Sequence, residues 1–228
     1  AHFPAAKVLG VTATPDRTDG IGLEGIFDSV AHEYDIRTGI ADGYLVPITA
    51  QQVTCGDLDV SRVKSSQGDL KPGELEQAVL VDASLHQMAS GIAKYTEGRQ
   101  SIVFMPGVDS SNAMARVLSD YVKTGVGVIV GTTEQEARDA LLEQFRTGAI
   151  QYLVNCMVLT EGFDAPWIQA VCCCRPTSSR SVYTQQVGRG LRPFPGKTDC
   201  LVLDFVGNAG KHKLVCPADV LARSEERR

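Results

Sequence analysis

The sequence lacks the features of a membrane-spanning, secreted or disordered protein. None of its apolar runs approaches the ~18 residues that a membrane-spanning helix needs. Residues 1–4 have neither the basic stretch nor the apolar run of a signal peptide. Of the 228 residues, 43% are hydrophobic and 21% are charged, as in folded globular proteins. The composition therefore predicts a globular chain of one large domain or slightly more.

Cysteine pairs at metal-binding spacing are also missing. The seven cysteines contain no C-x-x-C pair and are odd in number, which argues against a zinc ribbon and against a disulfide framework. Cys172, Cys173 and Cys174 continue an apolar run, where we expect them to be small buried residues of a strand. The four histidines are scattered, so we expect no metal site. Unpaired cysteines favour a reducing, cytoplasmic compartment.

An excess of positive charge is absent as well. Lysine and arginine number 22 against 27 acidic residues, which gives a formal net charge of −5. A dedicated nucleic-acid-binding module is usually basic. Any contact with nucleic acid is therefore expected to be confined to particular loops, and to be weak and salt-sensitive for this chain alone.

After about residue 80, the sequence alternates between strand and helix patterns. Short apolar runs predict strands at 102–105, 126–130, 151–157, 169–174 and 200–205. Helical spacing of apolar residues predicts helices at 81–95, 114–121, 137–145 and 181–191. Thr133 and Glu136 have the spacing of a capping box before the third of these helices, and Gly148 can end it. The alternation predicts an α/β fold with a parallel sheet and helices on both faces, in which ligands bind beyond the carboxyl ends of the strands.

The first 80 residues have a different pattern. They predict strands at 7–11, 28–36 and 47–53, and a loop at 56–73 that is rich in Gly, Ser, Asp and Lys. The first strand begins almost at residue 1. We therefore expect residues 1–45 to be the last part of a preceding domain, and residues 46–228 to form a second domain.

Two arginines lie in a glycine-containing segment after the strand at 169–174. On a helix, Gln185, Gly188, Arg189 and Arg192 would share one face. Paired guanidinium groups can grip phosphate oxygens bidentately, and Gly188 and Gly190 permit close approach. This is how an arginine finger is presented in phosphoryl transfer. The alternatives are a surface arginine pair and a structural pair held by carboxylates.

Two further segments follow predicted strands. In the segment 159–166, Gly162 allows a tight loop, Asp164 could accept hydrogen bonds from a ribose, and Thr160 could donate to a phosphate. The alternative is an ordinary loop with an aspartate cap. In the segment 11–20, Thr12 and Thr14 have the character of hydrogen-bonding switches rather than of acid–base catalysts.

Together, these segments resemble the motifs of superfamily 2 helicases. Residues 12–15 (Thr-Ala-Thr-Pro) resemble motif III, residues 160–164 resemble motif V, and residues 185–192 match the Q-x-x-G-R-x-x-R pattern of motif VI. The strand at 102–105 lies where motif IV falls, and the order and spacing agree with the family. Residues 15–20 and 202–208 resemble the branch of DEAH-type and type III restriction-subunit-like DNA helicases.

In that family, two RecA-like domains hold ATP between them. The resemblance implies a RecA-like second domain at 46–228, preceded by a remnant of the first domain at 1–45. It also implies four sets of site residues, which are the catalytic Arg189 and Arg192, the ATP-binding Gln185, Gly162 and Asp164, the nucleic-acid-binding Thr160, Gly107 and Thr132, and the coupling residues Thr12 and Thr14.

Two motifs of that family are missing from the chain. It has no G-x-x-x-x-G-K-[ST] phosphate loop and no Asp-Glu-x-His motif, so the phosphate cradle and the Mg²⁺ carboxylates are absent. We therefore expect this chain to be the C-terminal part of an ATP-dependent DNA helicase or translocase. ATP and Mg²⁺ would bind to the intact parent and neither to this part alone, which would be inactive as an ATPase.

The expected partners are nucleic acid, with DNA favoured over RNA, and the missing N-terminal RecA-like domain; no membrane contact is expected. The alternative is a non-catalytic, helicase-like module that binds nucleic acid or protein. A nuclease-coupled restriction subunit would need a carboxylate cluster that the sequence does not show.

Overall fold

The computed structural model describes residues 7–12, 27–159 and 164–221. Its strands, in chain order, are β1 (Ile48–Asp59), β2 (Ser65–Ser66), β3 (Asp69–Leu70), β4 (Ser101–Phe104), β5 (Gly125–Ile129), β6 (Ile150–Asn155), β7 (Ala170–Cys173) and β8 (Cys200–Asn208). Its helices are α1 (Ile36–Ala41), α2 (Pro72–Val79), α3 (Asp82–Tyr95), α4 (Val108–Tyr121), α5 (Gln135–Thr147), α6 (Arg180–Gly188) and α7 (Pro217–Leu221). None of the described helices is long and apolar enough to cross a membrane.

Six of the strands form one parallel sheet in the order β1-β8-β7-β4-β6-β5. The register aligns Phe104 with Asn155 on one side and with Cys173 on the other, and aligns Cys173 with Asp204. Because every strand runs in the same direction, the loops that follow the strands all emerge at one edge of the sheet, which we call the carboxyl edge. The short strands β2 and β3 form a separate antiparallel hairpin.

Helices cover both faces of the sheet. Val103 and Cys172 belong to the hydrophobic cluster that includes residues of α2, α3 and α4. Ile102 and Cys173 belong to a second cluster, on the other face, that includes residues of α5, α6 and α7. Neighbouring strand residues alternate between the two clusters, as the two-residue period of a strand requires. The predicted parallel sheet with helices on both faces is confirmed.

The cysteines after Val171 are buried in these clusters. Cys172, Cys173 and Cys174 are fully or almost fully buried and form no disulfide. Burial raises the pKa of all three thiols, so they stay protonated at neutral pH. They act as small apolar residues, as the sequence predicts.

Two strand predictions near the start of the chain were wrong. Residues 7–11 and 28–35 have no regular structure, and α1 begins at Ile36, where the Asp35 side chain accepts a hydrogen bond from Thr38 N at 2.8 Å. Val8, Leu9 and Val11 are exposed, and no strand of the described part pairs with them. An apolar run forms a strand only where a neighbour binds its backbone groups. The division between residues 45 and 46 stays a prediction.

The predicted loop at 56–73 was also wrong in part. It contains the last residues of β1, the β2–β3 hairpin and the start of α2. Gln67 and Gly68 both have positive φ, 51° and 80°, as a two-residue type I′ hairpin turn requires. Leu58 and Leu70 are buried, so apolar residues scattered among polar ones hold this segment against the core.

The predicted capping box of α5 does not form. The helix is capped at Glu134 without a side-chain hydrogen bond, and the Thr133 hydroxyl instead accepts from Val130 N at 2.9 Å. The hydroxyl therefore closes the turn after β5 and is not free to cap the helix. Gly148, with φ 80°, ends α5 as predicted.

Candidate functional site

The segment with the two arginines is only partly helical. Helix α6 begins after Ser179, whose hydroxyl accepts from Val182 N at 3.3 Å, and it ends at Gly188. Arg189 keeps helical backbone angles as the C-cap, whereas Arg192 lies beyond the helix. The prediction of one shared helical face therefore holds for Gln185, Gly188 and Arg189 but was wrong for Arg192.

Packing explains why the helix ends early. A Cβ atom at Gly190 would collide with Sγ of Cys200 and would lie 2.7 Å from Cγ2 of Val171. After this close approach, Leu191 O accepts from Val46 N at 2.8 Å, next to the start of β1. The chain leaves the helical path to reach the sheet, and Arg192 follows beyond the end of the helix.

The turn brings Arg192 to Asp164. Their side chains form an ion pair between Nη1 of Arg192 and Oδ1 of Asp164. The Arg192 side chain is 41% exposed and that of Asp164 is 77% exposed, so the pair lies at the surface. The sequence analysis left open that the arginines form a surface pair or are held by carboxylates. Arg192 is held by a carboxylate, and its side chain remains accessible to solvent. The ion pair joins the segment that contains Asp164 to the segment that contains Arg192, although the two are distant in sequence.

A half-buried lysine holds these two segments together. Lys197 Nζ donates to the carbonyl oxygens of Pro166 at 3.1 Å, Gly190 at 2.6 Å and Arg192 at 2.9 Å. Burial lowers the pKa of Lys197. The edge-to-face contact of Trp167 with Phe194, with ring centroids 6.4 Å apart, joins the same two segments. The sequence analysis missed Lys197, and nothing in its Pro- and Gly-rich surroundings marks it.

The predicted nucleic-acid contacts that the structure describes lie at the carboxyl edge. Gly107 is the N-cap of α4, directly after β4, and Thr132 is exposed in the turn after β5. Of the coupling residues, Thr12 is exposed in the segment 7–12. The predicted residues Thr14, Thr160 and Gly162 lie outside the described residues.

A carboxylate already covers the N-terminus of α4. Oε1 of Glu76, from α2, accepts from Ser110 N at 3.1 Å and from Ser110 Oγ at 3.3 Å. A Cβ atom at Gly107 would collide with this carboxylate. Since helix N-termini attract anions, Glu76 occupies a place that suits a phosphate. The sequence analysis did not identify Glu76.

A buried ion pair ties the hairpin to the loop after β7. Arg175 Nη2 lies 2.8 Å from Oδ2 of Asp69, and both side chains are almost completely buried. Asp69 also accepts from Thr177 Oγ1 and Ser178 N, each at 2.8 Å. The pair positions the loop that leads into α6.

Arg175 also lines a small cavity of about 70 Å³ beside the carboxyl end of β7 and the middle of β1 and β8, together with Gln52, Tyr183 and Asp204. Burial raises the pKa of Asp204 to about 6. In the ranges that the structure describes, no group of three or more His, Cys, Asp and Glu side chains could hold a metal ion.

Residues 82–193 match the family model of the helicase conserved C-terminal domain. The Saccharomyces cerevisiae protein IRC3, named as an ATP-dependent helicase, is 29% identical over 241 residues, which cover 99% of this chain and 34% of IRC3. The Schizosaccharomyces pombe protein irc3, named as a mitochondrial ATP-dependent helicase, is 34% identical over 214 residues, which cover 90% of this chain and 34% of that protein. The chain thus spans about a third of the length of both relatives.

Among solved structures, a fragment of an HsdR subunit of a type I restriction enzyme from Vibrio vulnificus matches with a TM-score of 0.66 and 21% identity, over 94% of this chain and 41% of that one. The sheet order and the helices on both faces define a RecA-like fold. The chain belongs to the superfamily 2 helicases, whose C-terminal half it carries, and the resemblance in its motifs is confirmed.

Proposed function

We propose that this chain is the C-terminal part of an ATP-dependent DNA helicase or translocase, and that it supplies Arg189 and Arg192 to the phosphates of ATP held by a second RecA-like domain. The observation that carries the proposal is the ion pair between Arg192 and Asp164 at the protein surface. It joins the segments that resemble motifs V and VI on one surface. The preference for DNA rests on the resemblance of residues 202–208 to the restriction-subunit-like DNA helicases.

The side chains at this surface fit a triphosphate. An exposed ion pair such as that of Arg192 with Asp164 contributes only about 0–1 kcal/mol, because water screens both charges. Phosphate oxygens can therefore replace the carboxylate and bind the guanidinium bidentately. Asp164 is then available to accept hydrogen bonds from ribose hydroxyls. Lys197 keeps the backbone of both segments in place during this exchange.

ATP with Mg²⁺, bound mainly by the other domain, supplies the phosphoryl group. The two arginines of this chain stabilise the charge that develops on that group, and arginine fingers contribute roughly 10³–10⁵ in rate. Gln185, half-buried on α6, lies on the same segment and orients the nucleotide. Thr160 and Thr132 contact the nucleic-acid backbone, and buried Gly107 does so where a phosphate replaces the Glu76 carboxylate. Thr12 and Thr14 couple hydrolysis to movement of the strand.

The test is Arg189→Ala in the parent protein with both RecA-like domains. We expect ATP turnover to fall by about 10³-fold or more, because a charge that acts in the transition state is lost. Binding of single-stranded DNA should stay within about twofold of the wild type, because no phosphate contact of the strand is removed. Steady-state phosphate release and fluorescence anisotropy measure the two quantities.

Arg146→Ala is the matched control. Arg146 is an exposed arginine on α5, where it is paired with Glu143 at 2.6 Å. Equal turnover in the two variants would refute the role of Arg189. A parent protein that binds nucleic acid or protein but has no ATP turnover would instead be the non-catalytic module.

A further inference from the structure

Two loops meet at the carboxyl edge beside β1 and β8. Val60 N donates to Asn208 O at 2.9 Å, and the register places Asp59 opposite Asn208. Beyond this point Gly210 packs against Ser61, so closely that a Cβ atom on Gly210 would lie 2.6 Å from Cβ of Ser61. The loop after β1 and the loop after β8 are therefore held side by side by their backbones.

Each loop carries two exposed cations directly after this contact. They are Arg62 and Lys64 in the first loop and Lys211 and Lys213 in the second. We call these four residues the basic surface. Because the chain as a whole has a net charge of −5, four adjacent cations are a local departure from its overall charge.

Carboxylates near the basic surface neutralise only part of it. Asp59 accepts from Ser61 N at 2.9 Å and lies near Arg62, and hydrogen bonds from Ser61 lower its pKa. Glu74 lies 4.0 Å from Nζ of Lys64 but is closer to Lys71, at 3.0 Å. In the described part of the chain no carboxylate lies within ion-pair distance of Lys211 or Lys213.

We propose that the basic surface binds the phosphate backbone of a nucleic-acid strand. The inference rests on the proposed function and extends it to residues outside the helicase motifs. The surface lies at the same edge of the sheet as Gly107 and Thr132. β8 lies about 10 Å from β4 across the sheet and runs four residues, about 13 Å, past the level of Phe104, so a few nucleotides can span the offset.

The chemistry of the surface favours a phosphate backbone over a small ligand. Its cations stand on exposed, flexible side chains, and none of them lines the cavity beside Asp204. Lysine acts as a point charge on phosphate, so such contacts add affinity without reading sequence. Each contact also releases counterions, which makes its contribution measurable through salt dependence.

The test compares two double variants of the 228-residue chain, each of which removes two positive charges. Lys211→Ala with Lys213→Ala alters the basic surface. Lys94→Ala with Lys123→Ala removes exposed lysines near the opposite edge of the sheet, one in the last turn of α3 and one after α4. Anisotropy of a labelled oligothymidylate of about 20 nucleotides is measured between about 50 and 200 mM salt.

We expect the first variant to bind about tenfold more weakly near 0.1 M salt, and the slope of log K against log salt to decrease by about 1.4, or about 0.7 for each lost contact. The control variant should bind as the wild type does. Lys211→Arg with Lys213→Arg should restore binding, because the charge is retained. Circular dichroism of all variants should be the same as that of the wild type.

Equal binding by the two alanine variants would overturn the inference. Competition by polyglutamate as strong as that by unlabelled oligothymidylate would also overturn it, because the surface would then recognise acidic chains in general. The ATP turnover of Arg189→Ala in the parent protein does not depend on these lysines. Failure of this inference is therefore distinguishable from failure of the proposed function.

Discussion

The carboxyl group of Asp204 is almost inaccessible to solvent. It lies near the middle of β8, its residue is 6% exposed, and it lines the cavity beside Gln52 and Tyr183. Burial raises its pKa to about 6, although the Gln52 amide, 3.5 Å away, acts in the opposite direction. Between about pH 4 and pH 6 the folded protein therefore holds a proton that the unfolded chain releases.

This difference predicts a pH dependence of stability. As the pH rises from about 4 to about 6, the contribution of Asp204 to the free energy of unfolding should fall by about 3 kcal/mol, and above that range it should stay constant. Asp204→Asn should remove this fall, because the amide has no proton to lose in this range. Urea denaturation of both proteins at several pH values measures it.

Asp139→Asn, at an exposed position of α5, is the control and should leave the pH profile unchanged. If the Asp204→Asn profile stayed parallel to that of the wild type, the buried carboxyl group would not be the source of the pH dependence.

The sequence could identify the types of residue at the candidate site but not their contacts. The rule that ligands bind beyond the carboxyl ends of parallel strands directs attention to the loops that carry Gly107 and Thr132. It does not reveal that Arg192 meets Asp164, or that Lys197 binds three carbonyl groups. Those contacts depend on the path of the backbone after α6, which is set by the packing of Gly190 against Cys200.

At the scale of elements, the two glycines near the end of α6 have different roles. Gly188 is the last residue of the helix, and a Cβ atom there would meet nothing within 4 Å. A Cβ atom at Gly190 would collide with Cys200 and press on Val171. The first glycine therefore leaves open space at the surface, whereas the second allows the chain to pack against the sheet.

We predict opposite effects of alanine at these positions. Gly190→Ala should lower the free energy of unfolding by about 1–3 kcal/mol, the usual cost of overpacking a tight core. Gly188→Ala should leave it unchanged or raise it by up to about 1 kcal/mol, since alanine is the better helix former. Urea denaturation of this chain measures both variants. Equal destabilisation by the two substitutions would show that Gly190 is not needed for close packing.

The elements after residue 80 were predictable because each buries a periodic set of apolar residues. Helix α3 and strands β4 to β8 lie within a few residues of their predicted bounds. Earlier elements were missed because their structure depends on neighbours rather than on a local pattern. The segment at 28–36 has strand-like composition but no neighbouring strand in the described part, and the β2–β3 hairpin is anchored by the ion pair of Asp69 with Arg175.

At the scale of the molecule, the chain contributes positive charge to both of its proposed sites. Arg192 lies at the surface where the segments that resemble motifs V and VI meet, and the basic surface lies at the carboxyl edge. The chain lacks the sequence of a phosphate loop and the Asp-Glu-x-His motif. Under the proposed function, it therefore holds groups that would stabilise a phosphoryl transfer without those that would bind and position the phosphates.

This division predicts that the 228-residue chain alone has negligible ATP turnover. Phosphoryl transfer depends almost entirely on positioning and electrostatic stabilisation, so arginines without a bound and oriented triphosphate give little acceleration. Phosphate release by the chain should equal that of its Arg189→Ala variant, which reports any contaminating ATPase, and both should be far below that of the parent protein. Turnover comparable to the parent's that is lost in Arg189→Ala would mean that the chain binds and positions ATP without a second RecA-like domain.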